Sequence, residues 1–230
     1  MEAIVLAGGL GTRLRGSVPD LPKCMAPVAG KPFIDHVIEE AKAKGVTRFI
    51  FSLGYKHEII TAHLQQNFPS IQYITSIENE PLGTGGAINK AIGCSTQIHN
   101  IILNGDTLFR VNLQQLMNFH IQHNASCTLS LKPMQHFNRY GVVKLDEGGR
   151  IIAFEEKKEV DEGLINGGVY ALNVSALRKM NLPAIFSFEK DFLEAHIHTE
   201  PLLGLVQDEY FIDIGIPDDY KKAEKDLSSK

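Results

Sequence analysis

Apolar residues recur along this chain with two different periods. Short unbroken runs come first: Ala3-Ile4-Val5-Leu6-Ala7, then Arg48-Phe49-Ile50-Phe51-Ser52-Leu53, Ile71 to Ile77, and Asn100-Ile101-Ile102-Leu103. Runs of this kind predict strands set within a sheet. Between them the apolar residues return every three or four positions. Lys31 to Lys44 puts Phe33, Val37, Ile38 and Ala41 on one stripe, with Pro32 in the first turn and Gly45 as the stop. Residues 56 to 68 put Ile59, Ile60, His63, Leu64 and Phe68 on one side and stop at Pro69. His63 on that stripe reads as a satisfied boundary histidine rather than a ligand. Strand, helix, strand, helix, strand at these lengths predicts a parallel sheet with right-handed crossovers.

The alternation continues. A helix opened by segment 80–87 puts Ala87, Ile88, Ala91 and Ile92 inward. Another spans 113 to 124, with Leu113, Leu116 and Ile121 inward. A strand over 126 to 132 precedes a β-hairpin, 140–145 and 150–154, around Asp146-Glu147-Gly148-Gly149. The run 155–159 reads as solvated charge, and 165–172 as a strand. A helix over 187–196 is capped by Ser187 and exposes Glu189 and Glu194. His196 and His198 at its end lack a third partner and read as surface residues. Tyr210 to Pro217 is a strand leading to a turn. The last helix, Asp218 to Leu227, has acids first and lysines later, as the helix dipole favours. The expected fold class is α/β: a Rossmann-like, mixed and mostly parallel sheet flanked by helices.

Two glycine-rich segments interrupt this pattern. Gly8-Gly9-Leu10-Gly11-Thr12-Arg13-Leu14 follows the first strand, and Leu21-Pro22-Lys23 follows the loop. Glycines permit the close turns that aim backbone N–H groups at a phosphate, and Arg13 and Lys23 add two cations. A Walker loop is excluded because Thr12-Arg13 follows Gly11. A dinucleotide fingerprint is excluded because Leu14 stands where its third glycine belongs. The second segment, Glu80-Pro81-Leu82-Gly83-Thr84-Gly85-Gly86-Ala87, opens a helix. Asp106, just past the fourth strand, sits where open α/β sheets bind ligands, although an ordinary Asx turn has the same look.

Composition narrows the field. The 230 residues suit one large α/β domain or at most two small ones. A net charge of -4 with 23 basic residues spread along the chain argues against nucleic acid as partner. No apolar run reaches the ~18 residues of a membrane span, and the N-terminal stretch breaks at Gly8 without a basic n-region, so no signal peptide is expected. Cys24, Cys94 and Cys127 match neither a disulfide framework nor a zinc spacing. These features imply a reducing, cytoplasmic setting. Homo-oligomerisation stays open.

Gly-Gly-x-Gly-Thr-Arg-Leu followed by Pro-Lys resembles the sugar-1-phosphate nucleotidylyltransferases, which join an NTP to a sugar 1-phosphate and release pyrophosphate. The resemblance runs from Ala3 to about Leu227. It implies the nucleotide-diphospho-sugar transferase (GT-A-like) fold and one domain over 1–230, with 1–110 binding nucleotide and 111–230 carrying the sugar-phosphate part. One departure is Cys24, where many members have proline; it reads as a packing change. The resemblance implies nucleotide contacts at Leu6, Ala7, Gly8, Gly9, Gly11, Thr12, Glu80, Pro81, Gly83, Thr84 and Gly85. It makes Arg13, Lys23 and Lys157 the catalytic cations. It gives sugar-phosphate contacts to Asn104, Gly141, Glu156, Lys157, Asn166 and Gly167, and Mg²⁺ to Asp106 and Asp213. Segments 20–33 and 80–87 are most similar to the members that use GTP and D-glycero-α-D-manno-heptose 1-phosphate. Uridylyl-, thymidylyl- and cytidylyltransferases share the motifs, and a non-catalytic sensing subunit on the same fold is the rival from another class.

Overall fold

The computed structural model describes residues 1–9 and 20–228. Gly11, Thr12 and Arg13 of the first glycine-rich loop lie outside them. In chain order the strands are β1 (Glu2–Leu6), β2 (Pro27–Val28), β3 (Lys31–Pro32), β4 (Arg48–Leu53), β5 (Gln72–Ile77), β6 (His99–Asn104), β7 (Thr107–Phe109), β8 (Cys127–Phe137), β9 (Val142–Leu145), β10 (Ile151–Glu155), β11 (Val160–Asn173), β12 (Leu202–Val206) and β13 (Phe211–Asp213). The α-helices are α1 (Phe33–Ala43), α2 (His57–Asn67), α3 (Gly83–Ala91), α4 (Leu113–Gln122), α5 (Val174–Lys179) and α6 (Pro217–Ser228). Phe188–Glu194 forms a π-helix whose N-cap is Ser187.

Among the described residues the main sheet has nine strands, with the path β10-β9-β11-β6-β1-β4-β5, while β8 pairs with β11 and β12 with β8. Strands β6, β1, β4 and β5 run parallel. Strand β11 turns the sheet antiparallel against β6. The expected mixed, mostly parallel α/β sheet is therefore the observed one. β1 is its pivot: the chain winds outward to β5, then returns over α3 and lays β6 on the other edge of β1. That reversal opens a crevice at the carboxyl ends of the strands.

Alternation along the central strands sorts their side chains into two cores. Ala3, Val5, Phe49, Phe51, Ile101 and Leu103 pack on one face with Phe33 and Ile38 of α1. Ile4, Ile50 and Ile102 pack on the other with Ile88 of α3, Tyr170, Phe188 and Phe192. Each of these large side chains, fully buried, contributes about 1.5–3 kcal/mol of transfer free energy. Both faces are covered, which is why these strands read as unbroken apolar runs.

Several local expectations are corrected. α1 begins at Phe33 because Lys31 and Pro32 pair with β2 as β3. α3 begins at Gly83, inside the segment 80–87 expected to open it, so the glycines form its first turn. Ile121 is 47% exposed; the inward positions of α4 are Leu113, Leu116, Met117 and His120. β8 and β11 are longer than expected because they pair with each other beyond the sheet proper, from Val160 opposite Phe137 to Leu172 opposite Cys127. Glu155, placed in the charge run, ends β10 and accepts from Lys158 at 3.0 Å. The elements α5, β2, β7 and β12 have no counterpart among the sequence-based expectations. His63 is satisfied as expected, with Nε2 2.6 Å from Asp35 Oδ1.

His120 is fully buried. Its Nδ1 lies 3.0 Å from Thr128 Oγ1 and its Nε2 3.1 Å from His99 Nδ1. Burial first, and then the neighbouring His99, push its pKa down to about 4. The unfolded chain therefore takes up a proton at this position, below its ordinary value of 6.5, before the folded chain does. Stability is lost as pH falls from about 6.5 toward about 4, by up to ~3 kcal/mol. Urea unfolding midpoints measured across that window should decline on acidification. A His120→Gln variant should show a flatter decline; an equal slope in the variant would rule out His120 as its source.

Candidate active site

β1 ends at Leu6, and the chain then crosses toward β4. Ala7 N donates to Ser52 O at 2.9 Å and Tyr55 N to Gly8 O at 3.3 Å. A Cβ on Gly8 would lie 3.0 Å from both Glu78 Oε1 and Gly54 N, so two backbones meet there with no room for a side chain. Among the described residues, nothing lies within 4 Å of where a Cβ on Gly9 would stand. These residues form one wall of a cleft of about 790 Å³.

The far wall carries the acids. Asp106 follows β6, and Gly105 N donates to Leu6 O at 2.9 Å, which ties the turn to β1. Asp213 ends β13, which pairs antiparallel with β7 so that Asp213 lies opposite Thr107. Ile214 N donates to Asp106 O at 3.1 Å and locks the two turns together. Lys23 opens a single 3-10 turn (Lys23–Met25) seated on buried Cys24 and Met25. Its ammonium donates to Asp106 Oδ2 and lies 3.4 Å from Asp213 Oδ1. Burial holds the Asp213 carboxyl above its usual pKa, Lys23 pulls it down, and Asp106 pushes it up. Cys24 is 3% exposed and its thiol is pushed up to about 12, by burial first and then by Asp106. A protonated, enclosed thiol is a packing group, as the sequence suggested.

One ammonium between two carboxylates leaves one negative charge uncompensated. Magnesium asks for one or two carboxylates and completes its shell with water and substrate phosphate. The Asp106–Asp213 pair, open to the cleft, fits that requirement. Among the described residues no group of three or more His, Cys, Asp or Glu side chains forms a closed metal cage.

Twelve of the expected site residues line this cleft: Leu6, Ala7, Gly8, Gly9, Lys23, Glu80, Pro81, Gly83, Thr84, Asn104, Asp106 and Asp213. Others lie outside its lining. Glu156 and Lys157 are exposed in the turn between β10 and β11. Gly141 lies at the entry to β9, backed by Glu155 O, 2.6 Å from where a Cβ would stand. Asn166 and Gly167 sit at the register shift of β11. Asn166 Nδ2 donates to the Tyr170 hydroxyl at 2.9 Å, and a Cβ on Gly167 would meet the Phe109 ring at 2.3 Å.

The second glycine segment is explained largely by packing. Gly85 N and Gly86 N donate to Phe186 O at 3.0 and 3.3 Å. Two amides of the first turn of α3 are thus taken by the chain itself. A Cβ on Gly85 would meet the Phe186 ring at 2.1 Å, and one on Gly86 would meet Ala184 O at 2.3 Å. Of the three glycines, only Gly83 lines the cleft, with Thr84 beside it.

Sequence reasoning missed Ser52, Gly54, Tyr55, Glu78, Asn79, Glu189 and Gly215 in the lining. Glu78 carried a signal that was not used: like Asp106, it is an acid just past a parallel strand. It accepts from Leu82 N at 3.1 Å and shapes the turn before α3. Glu189, expected to be exposed, is half-buried on the π-helix and accepts from the Thr84 hydroxyl at 3.1 Å. Nothing local in the sequence marks it.

Comparison with known proteins agrees with this architecture. Residues 2–230 match the family described as Nucleotidyl transferase. The chain is 49% identical over 227 residues to D-glycero-alpha-D-manno-heptose 1-phosphate guanylyltransferase of Aneurinibacillus thermoaerophilus, covering 99% of this chain and 98% of that one. It is 42% identical over 220 residues to the Campylobacter jejuni enzyme of the same name, covering 96% and 97%. Two crystal structures of HddC from Yersinia pseudotuberculosis, one complexed with GMP-PN, match at 36% identity with TM-scores of 0.90 and 0.88, over 98% of this chain and 99% of theirs. The chain belongs to the nucleotidyl transferase family and has its fold. It is an enzyme of the sugar-1-phosphate nucleotidylyltransferase class.

Gly86→Ala should destabilise the protein by about 1–3 kcal/mol, because the obstructing atom is a backbone oxygen rather than a movable side chain. Urea unfolding measures this directly, and an unchanged midpoint would mean that segment 184–186 yields freely.

Proposed function

We propose that this enzyme transfers GMP from GTP to D-glycero-α-D-manno-heptose 1-phosphate, releasing pyrophosphate. The observation that carries the chemistry is the meeting of Lys23, Asp106 and Asp213 in the cleft that Gly8 and Gly9 also line. The choice of base and sugar is supported by the full-length similarity to two heptose 1-phosphate guanylyltransferases and by the neighbour complexed with GMP-PN.

A phosphate monoester has its second pKa near ~6, so the attacking oxygen of the sugar phosphate is already ionised at neutral pH. No general base is needed. The barrier comes from bringing two polyanions together and from charge accumulating around the α-phosphorus. The backbone of Gly8, Gly9 and Gly11, with Arg13, holds the triphosphate and the departing pyrophosphate. Leu6, Ala7, Thr12, Glu80, Pro81, Gly83, Thr84 and Gly85 place the nucleoside. Lys23 neutralises the α-phosphate region. Asp106 and Asp213 would hold Mg²⁺, which would supply positive charge against the charge that accumulates on the phosphates. On the acceptor side, Lys157 meets the sugar phosphate, Glu156 accepts from sugar hydroxyls, and Asn104, Gly141, Asn166 and Gly167 frame the sugar. Residues 1–110 then serve the nucleotide and 111–230 the acceptor, within one domain.

A matrix of NTPs against sugar 1-phosphates, scored by pyrophosphate release, should show highest kcat/KM for GTP with the heptose 1-phosphate. A clear preference for another base or sugar would overturn the assignment. Asp106→Asn and Asp213→Asn should each lower Mg²⁺-dependent turnover by about 10²-fold or more; near-normal rates in both would remove the metal from these acids.

A further inference from the structure

β8 ends at Phe137 and β9 begins at Val142, and the connection between them carries Arg139, Tyr140 and Gly141. This loop is gripped from the far end of the chain. The Arg139 guanidinium pairs with Asp219 in the first turn of α6, 80 residues away in sequence. It also lies 5.4 Å from the centroid of the Tyr140 ring. That ring meets Phe211 of β13 edge-on, with centroids 5.9 Å apart. Phe211 precedes Asp213 and Asp219 follows it, so both side chains before Gly141 clasp the segment that carries the acid. Burial, and next the charge of Asp213, raise the Tyr140 hydroxyl above its usual pKa, consistent with that closeness.

α6 bears on the opposite side of the site as well. The Tyr220 hydroxyl donates to Pro27 O at 2.5 Å, and Glu224 accepts from Ala29 N at 2.8 Å. Both contacts lie in the β2–β3 hairpin that follows the Lys23 turn. One helix thus touches the strand pair behind Lys23 and the loop that leads to Gly141.

We infer that Arg139 and Asp219 are positioning residues for the acceptor: their ion pair fixes the loop that presents Gly141 relative to Asp213 and Lys23. The inference rests on the reading of Gly141 as part of the sugar-phosphate side. The Arg139 and Asp219 side chains keep 31% and 23% of their exposure. A partly buried pair is screened less than one on the open surface, so it can hold the loop to α6. A reacting group displaced by ~1 Å can cost ~10²-fold in rate, which makes loop placement matter.

The test uses Asp219→Asn and Arg139→Gln in the full chain, with Asp219→Glu as the charge-keeping control. Either neutral variant should raise KM for the sugar 1-phosphate about ten-fold while KM for GTP stays within about two-fold. The double variant should be no worse than the worse single one, and Asp219→Glu should recover most of the loss. Without substrate, amide exchange at 138–141 should speed up in both neutral variants while exchange in β1 and β4 stays as in wild type. Equal shifts in the two KM values, or unchanged exchange at 138–141, would overturn the positioning role. A wild-type enzyme inactive on every substrate pair would strike the proposed function instead, and the exchange measurement would still decide whether the pair holds the loop.

Discussion

The ammonium of Lys23 stands between two carboxylates that reach it from Asp106 and Asp213, and the rest of the site is built around that meeting. Two carboxylates brought close together in a partly buried site repel each other. The chain nevertheless brings such a pair together, half-buried, and ties the backbone at both acids. β7 and β13 pair so that Asp213 lies opposite Thr107, Ile214 N holds the Asp106 carbonyl, and Gly215 N donates to Asp213 Oδ1 at 2.7 Å. A site held at this electrostatic cost is prepared for positive charge, and Lys23 supplies only part of it.

The sheet makes that meeting possible. Because the chain reverses at β1, the turns after β1, β4, β5 and β6 all open on the same side, and the cleft collects residues from each. Its electrostatics are uneven. Lys23 is the one lysine or arginine among the described lining residues, which also include Glu78, Glu80 and Glu189. Carboxylates repel phosphate and accept hydrogen bonds from N–H and O–H donors. Under the proposed function, this lining favours phosphates near Lys23 and polar uncharged groups near the glutamates.

Glycine has two distinct uses here. At Gly8 it lets the end of β1 pack against Gly54 and Glu78. At Gly85 and Gly86 it lets α3 lie against 184–186, and the amides of those two residues are consumed by Phe186. The two segments look alike as sequence, and the packing explains Gly85 and Gly86 without a ligand.

The sequence by itself determined the strand–helix alternation of the first half, the mixed, mostly parallel sheet and the family, because both faces of β1, β4 and β6 are covered and their apolar runs are unambiguous. It also marked Lys23, Asp106 and Asp213 through motifs. Tertiary structure decided the rest. The lengths of β8 and β11 come from pairing with each other, which no local pattern records. Ile121 faces outward because the inward seam of α4 runs through Met117 and His120. Glu189 enters the cleft because the π-helix packs against Thr84, and Arg139 gains its partner only when α6 folds back across the chain. Hydrophobic periodicity is a local property that survives in one dimension. Close approach of distant backbones and pairing of distant charges arise only when the chain is folded.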